Sequence, residues 1–290
     1  MATACTQGLD TGFVDLGYVK VAILGVVQGI SELLPISSTA HMRIVPALFG
    51  WKDPGSAFSA AMQLAALAAV VTYFWGDVRG LVLGTISAVK RRDFNDWTFR
   101  FALWIVLASL PVVLAGLALS NTLNTCGSPL RSLPVIGIAC IVMAALLALA
   151  ELYCNHTRSL EHITLKDALI VGFAQVGALI PGVSRSGSTL TAALFLDLKR
   201  EEAARFSFLL GLPAIAGGGV YELYKLFKAH LDAHGWSVLA LGLVIASISA
   251  FAAIWSLMHI LERFSAWPFV AYRAVIGVIL LVSAGMHWLS

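Results

Sequence analysis

Apolar residues fill this chain in long blocks, and the polar positions inside them are few enough that each one marks something. Six blocks approach the roughly 20 residues that cover a hydrocarbon core of about 30 Å. They are Phe58 to Trp75, Phe101 to Ser120, Val135 to Ala150, Phe206 to Tyr224, Val238 to Ile260 and Phe269 to Leu289. Each is read as a membrane-spanning helix. Two other blocks are interrupted, Leu16 to Phe49 at LPISSTAH and Ala168 to Leu198 at IPGVSRSGST. Both are too long for one plain span and too short for two spans with a turn. Pro35, Pro181 and Gly182 stop helices, and the hydroxyl residues beyond them can cap the next one. The pattern predicts a re-entrant hairpin for each, with a single crossing as the alternative. Non-helical backbone at that depth persists only where protein or a wet cavity surrounds it.

Composition agrees: 59% of residues are hydrophobic and 12% charged, which places the chain in the polytopic membrane class. A net charge of +3 spread over the whole length excludes a nucleic-acid-binding face. Cys5, Cys126, Cys140 and Cys154 have neither metal-ligand spacing nor the density of a disulfide scaffold, and Cys140 is read as packing. The opening MATACTQGLDTGFVD lacks a basic leader, so the first apolar segment is expected to stay in the protein.

The two interrupted blocks resemble each other. An offset of 147 pairs Gly25 with Gly172, Gln28 with Gln175, Ser37 with Ser184 and Thr39 with Ser186, and one residue more pairs Phe58-Ser59 with Phe206-Ser207. The reading is an internal duplication, the first repeat over about 15–150 and the second over about 165–289, within one membrane domain spanning 1–290. Three spans between the hairpins invert the second repeat relative to the first. The fold expected is therefore all-α and polytopic, with six full spans plus two re-entrant helical hairpins in an inverted-topology repeat. Arg79, Lys90, Arg91, Arg92, Arg100, Arg158, Lys166, Lys199, Arg200, Arg205, Arg263 and Arg273 then share one face. Lys20, Arg43, Lys52, Arg131, Lys225 and Lys228 share the other. The positive-inside rule makes the first face cytoplasmic, with Lys90 to Arg92 inside and Leu123 to Leu133 and both termini outside.

Gln28 and Glu32 stand four apart, on one face of a helix, and Ser38 and His41 stand three apart beyond the break. In the second block Arg185 lies between Ser184 and Ser186, with Thr189 one turn on. Inverted duplication brings the two tips together near the midplane, where such folds bind ligands. Arginine's planar fork suits phosphate oxygens, helix N-termini and hydroxyls donate to them, and histidine moves protons near neutral pH. Structural roles compete: Ser31, Thr39 and Ser188 as packing or back-bonding groups, Gln28 and Gln175 bonded across the repeat interface, Glu32 and Arg185 as a plain salt bridge. Intramembrane Glu32, His41 and Arg185 carry the strongest functional signal, because ionisable groups there are costly.

LGVVQGISELLPISSTAH resembles the first signature of the undecaprenyl-diphosphatase family, the bacitracin-resistance phosphatases, and LIPGVSRSGST resembles the second. The likeness extends over nearly the whole chain, including FSFLLGLP. It implies removal of the terminal phosphate from a polyprenyl diphosphate in the bacterial inner membrane, regenerating the carrier lipid for cell-wall synthesis at a site open to the outer face. It also implies a divalent cation, Mg2+ or Ca2+. By the resemblance, Glu32, Ser38, His41 and Arg185 are the catalytic set, with Glu32 also the metal ligand. Gln28, Ser37, Thr39, Ser184, Ser186 and Thr189 are placed at the substrate. Two departures stand out: Gln28 replaces a second glutamate found in some members, and Ala40 replaces a usual glycine. Partners expected are the lipid substrate and membrane lipids but no nucleic acid, with a homodimer left open. Ser38 is the expected nucleophile with His41 as its base; the rivals are attack by His41 itself, or a water activated by His41. Another membrane phosphatase class places a histidine nucleophile where this chain has Thr191, which excludes that chemistry. The competing reading is a transporter or lipid flippase holding an anionic head group at the repeat interface.

Overall fold

The structure, a computed structural model, describes residues 11–119, 130, 132–228 and 231–286. The described residues are almost entirely helical. Helices α1 (Phe13–Leu33), α2 (Ser38–Leu48), α3 (Ser56–Ala61), α4 (Gln63–Tyr73), α5 (Trp75–Arg91), α6 (Trp97–Ala118) and α7 (Leu133–Tyr153) form the first half. The second holds α8 (Leu165–Val176), α9 (Arg185–Phe195), α10 (Arg200–Lys228), α11 (Ala233–Arg263) and α12 (Trp267–Gly285). Cys5, Cys126, Arg131 and most of 123–133 lie outside the described residues.

Six helices among those described are long and apolar enough to cross a membrane: α1, α6, α7, α10, α11 and α12. Five match expected spans. The sixth expected span, Phe58 to Trp75, is built as α3 and α4, interrupted at Met62, and it turns by 81° at Phe74 into α5. In its place α1, the entry arm of the first interrupted block, reaches span length, because it carries only three charged residues, Asp15, Lys20 and Glu32, in an otherwise largely apolar run. The corresponding arm α8 has 12 residues, so the two interrupted blocks have unequal arms.

Small residues let the helices approach. A Cβ on Gly29 would overlap the Ala246 carbonyl of α11, and one on Gly172 would overlap Ala108 of α6. Gly137 and Gly277 face each other across α7 and α12, each hypothetical Cβ about one contact from the other's carbonyl, at 3.0 and 2.9 Å. In a lipid environment such close approach supplies the dispersion that holds helices together, since burying apolar surface there gains little.

The two breaks have the same local form. Leu33 ends α1, Leu34 is extended, and Ser37 caps α2 with φ 74°, accepting Ala40 N–H on its hydroxyl at 3.4 Å. Ser184 caps α9 with φ 70° and accepts Gly187 N–H at 3.2 Å. A positive φ at a serine costs of order 1 kcal/mol or more, and such conformations concentrate at sites the surroundings over-determine. Ala40 fits without strain, wholly buried beside Ile44, Ile136 and Cys140.

Arg273 does not lie in a loop, as the face tally assumed. It is 1% exposed, two turns into α12, and its guanidinium donates to Pro35 O, Gly182 O and Val183 O, each at 2.9 Å. One basic residue therefore leaves the richer face, which keeps eleven. At the Arg200 end, Glu151 of α7 takes Arg200 Nη2 at 2.6 Å and the Ala266 N–H at 3.0 Å, joining three helix ends.

A Gly172→Val change should destabilise by about 1–3 kcal/mol or prevent folding, by overpacking α8 against α6. Gly80→Ala, where nothing lies within 4 Å, should leave stability unchanged or raise it by about 0.5–1 kcal/mol. Thermal unfolding in detergent measures both, and equal effects would contradict the packing described.

Candidate active site

Glu32 sits one residue before the end of α1 and is 8% exposed. Its Oε2 accepts Ser38 Oγ–H at 2.7 Å and Gln28 Nε2–H at 3.1 Å. Its Oε1 faces Arg185 Nη2 at 3.3 Å, from the other tip. The i, i+4 spacing puts Gln28 over Glu32, while the turn through Pro35 and the strained Ser37 folds Ser38 back onto the same carboxylate. One carboxylate thus gathers a hydroxyl, an amide and a guanidinium from both halves of the chain. Glu32 and Arg185 do form the salt bridge weighed as the structural alternative, and Ser38 donates to the same carboxylate.

The second tip is anchored to the first. Ser186 Oγ donates towards Leu34 O at 3.1 Å and Glu32 O at 3.3 Å, and lies 3.2 Å from Ser184 Oγ. Arg185 finds room because α10 carries Gly211 opposite it, where a Cβ would overlap its guanidinium. Gly187 likewise leaves room for Arg273. Thr189 is 1% exposed and bonds Arg185 O at 2.8 Å and the Ser207 hydroxyl; the structure places it behind the site, as a support for α9. Ser37, also 1% exposed, is a helix cap. Thr39 is half-buried in the first turn of α2.

His41 departs from its expected pairing. Its Nδ1 lies 2.7 Å from Ser37 O, and its Nε2 lies 2.6 Å from Tyr272 Oη. A carbonyl only accepts, so Nδ1 carries the proton, and in the neutral ring Nε2 accepts from the tyrosine hydroxyl. No nitrogen is left for Ser38, which donates to Glu32 instead. Gln28 and Gln175 do not bond each other either: Gln28 serves Glu32, and the wholly buried Gln175 amide has no hydrogen-bond partner among the described residues.

Tyr272 and Arg273 were missed by the sequence reading. The signal was present, an ionisable side chain inside the apolar run from Phe269 to Leu289, and it was masked by assigning that arginine to a loop.

Among the described residues no cluster of three or more His, Cys, Asp or Glu side chains could hold a metal. Glu32 is the single carboxylate at the tips among the described residues, yet Gln28 Oε1 is buried there without a donor, and the Ser38 hydroxyl lies on the same carboxylate. This set fits a hard cation that draws most of its oxygen ligands from a phosphate-bearing substrate. Helices α2 and α9 both begin at the tips, so their N-terminal N–H groups add to Arg185 and Arg273 in favouring an anion. A separate cavity of about 580 Å3 lies between Asp77, Trp97, Phe101, Glu161 and Arg205, and shares no residue with the tips.

The class of protein is set by these features: a polytopic helical membrane protein whose two broken helices meet in a buried polar centre, where one carboxylate gathers a hydroxyl, an amide and a guanidinium. Residues 21–279 match the family described as Bacitracin resistance protein BacA, and the chain belongs to that family. It is 71% identical over 263 residues to Undecaprenyl-diphosphatase 2 of Mesorhizobium japonicum, covering 91% of this chain and all of that one. It is 43% identical over 287 residues to the undecaprenyl-diphosphatase of Trichormus variabilis, covering 98% and 90%. That of Gloeobacter violaceus is 47% identical over 274 residues, covering 94% of each.

Replacing Arg273 by leucine would strand the Pro35 and Val183 carbonyls and leave Gly182 O only the weak Cys140 thiol, at about 1–3 kcal/mol for each carbonyl stranded. Loss of the folded protein or a fall of more than about 3 kcal/mol is expected. Tyr272→Phe, which removes one hydrogen bond, should cost no more than about 1.5 kcal/mol. Thermal unfolding separates the two, and a mild Arg273→Leu effect would contradict the role given to this residue.

Proposed function

We propose that this protein hydrolyses a polyprenyl diphosphate to the monophosphate and inorganic phosphate, the reaction named in its relatives, and so recycles the carrier lipid of cell-wall synthesis. The observation that carries the reading is the Ser38 hydroxyl donating to Glu32 at 2.7 Å beside Arg185. A carrier needs anion-binding donors but no nucleophile aligned on a base, so this pairing favours the phosphatase over the transporter.

Ser38 Oγ attacks the terminal phosphorus while its proton passes to Glu32. The bond from phosphorus to the bridging oxygen breaks, and the polyprenyl monophosphate leaves with its electron pair. The departing monophosphate carries off the proton from Glu32; water then gives a proton to the regenerated carboxylate as it attacks the phosphoserine, and Ser38 Oγ takes that proton back as the bond to phosphorus breaks, releasing inorganic phosphate and restoring the hydroxyl. Arg185 and the N-termini of α2 and α9 hold the charge on the transferred group, which is where phosphoryl transfer gains most. Gln28 keeps Glu32 turned towards Ser38, and His41 braces the first tip through Ser37 and Tyr272. A divalent cation held by Glu32 and Gln28 Oε1 would offset diphosphate charge and orient it.

The two halves form an inverted repeat, supported by the matching caps at Ser37 and Ser184 and by the reciprocal Gly137 and Gly277 contact. Within a bacterial inner membrane the basic face with Lys90 to Arg92 lies in the cytoplasm, and the site opens to the outer face, as the charge bias supports.

Phosphate release by purified variants tests this assignment. Ser38→Ala should leave almost no turnover. Glu32→Gln should lose about 10²- to 10⁴-fold in rate as a missing base, and Arg185→Lys about tenfold or more through loss of the fork. His41→Gln should be milder than Ser38→Ala. A Glu32→Gln enzyme near full activity, with His41→Gln as damaging as Ser38→Ala, would return the base to the histidine.

A further inference from the structure

Gln63 is a polar side chain that the fold does not use. It begins α4 directly after the interruption at Met62 and is half-buried. Its amide has no hydrogen-bond partner among the described residues. A lone amide within an apolar bundle is unfavourable unless something donates to it or accepts from it.

Two helices locate that amide relative to the site. On α10, Gly211 and Gly218 are seven residues apart, hence on one face and about 10 Å from each other. The Arg185 guanidinium occupies the space a Gly211 side chain would fill, and Gln63 Oε1 lies 3.6 Å from the position of a Gly218 Cβ. On α4, Gln63 shares its face with Ala66 and Val70, which belong to the core cluster containing Leu33 and Ile36, the neighbours of Glu32 and Ser37. The two helices pack directly, with Leu64 against Gly219. Along α10, Gln63 stands about two turns from Arg185 towards the Lys228 end.

We propose that the Gln63 amide is a substrate-binding group for the phosphate the product retains. This rests on the diphosphatase reading of the tips. The Gly211 and Gly218 positions beside which the Arg185 guanidinium and the Gln63 amide lie are about 10 Å apart along α10, a length that accommodates a diphosphate with a hydrogen bond at either end. The terminal phosphate lies at Ser38, Glu32 and Arg185, and the phosphate esterified to the polyprenyl chain lies at Gln63 Nε2. Next to it Gly217 and Gly218 are exposed, with nothing within 4 Å of a Gly217 Cβ, so bare helix backbone gives the lipid chain a way out of the bundle.

Product inhibition tests the assignment, because its two products report on the two subsites separately. In Gln63→Leu the inhibition constant for polyprenyl monophosphate and the KM for the diphosphate should both rise about tenfold, the worth of one hydrogen bond to a charged group. Inhibition by inorganic phosphate should stay within about twofold of the parent. Gln63→Glu, equal in size but repelling phosphate, should weaken monophosphate inhibition further, and it serves should the leucine variant fold poorly. Unchanged monophosphate inhibition in both variants, or an equal loss of phosphate inhibition, overturns the proposal. Failure of the underlying site reading would show differently, as Arg185→Lys leaving phosphate inhibition intact.

Discussion

Broken helices inside an apolar bundle leave main-chain carbonyls with neither a helical partner nor water, and the Arg273 guanidinium meets that need for both breaks at once. Pro35 O belongs to one tip, Gly182 O and Val183 O to the other. Each carbonyl left alone at that depth would cost several kcal/mol. One side chain from α12 therefore fixes the separation of two loops about 150 residues apart in sequence, a figure that follows from the repeat spacing. The placement of Glu32, Ser38 and Arg185 depends on it.

With the tips fixed, Glu32 becomes the point where the two halves share chemistry. Its carboxylate receives Ser38 and Gln28 from its own half and Arg185 from the other, while Ser186 reaches back to the carbonyls around it. A buried ion pair contributes little to stability after desolvation, so its retention is better explained by what it orients. Here it orients a hydroxyl. The strained caps at Ser37 and Ser184 serve the same end, aiming two helix N-termini and an arginine at one volume.

Much of this was legible in the sequence, because the costs involved are high enough to leave marks. Polar groups in apolar runs identified both tips, Glu32, Ser38 and Arg185, and the offset of 147 anticipated the matching serine caps. What was not legible depended on direction. His41 is one turn from Ser38 in sequence, yet the Ser37 carbonyl and Tyr272 turn its ring away, and no spacing rule encodes a partner from α12. Thr189 had the right type and place for a ligand-binding hydroxyl but back-bonds behind the helix. The interrupted span at Met62 and the 81° turn at Phe74 fell inside an unbroken apolar run, where composition carries no signal of a bend.

The central claim is that the two tips form one centre in which Ser38 takes the phosphoryl group under the direction of Glu32 and Arg185. Rapid acid quenching with a diphosphate labelled in its terminal phosphate tests it most directly. The account predicts an acid-stable, base-labile label that maps to Ser38 and is absent from Ser38→Ala. An acid-labile, base-stable label mapping to His41 would contradict it, as would a Ser38→Ala protein that still becomes labelled.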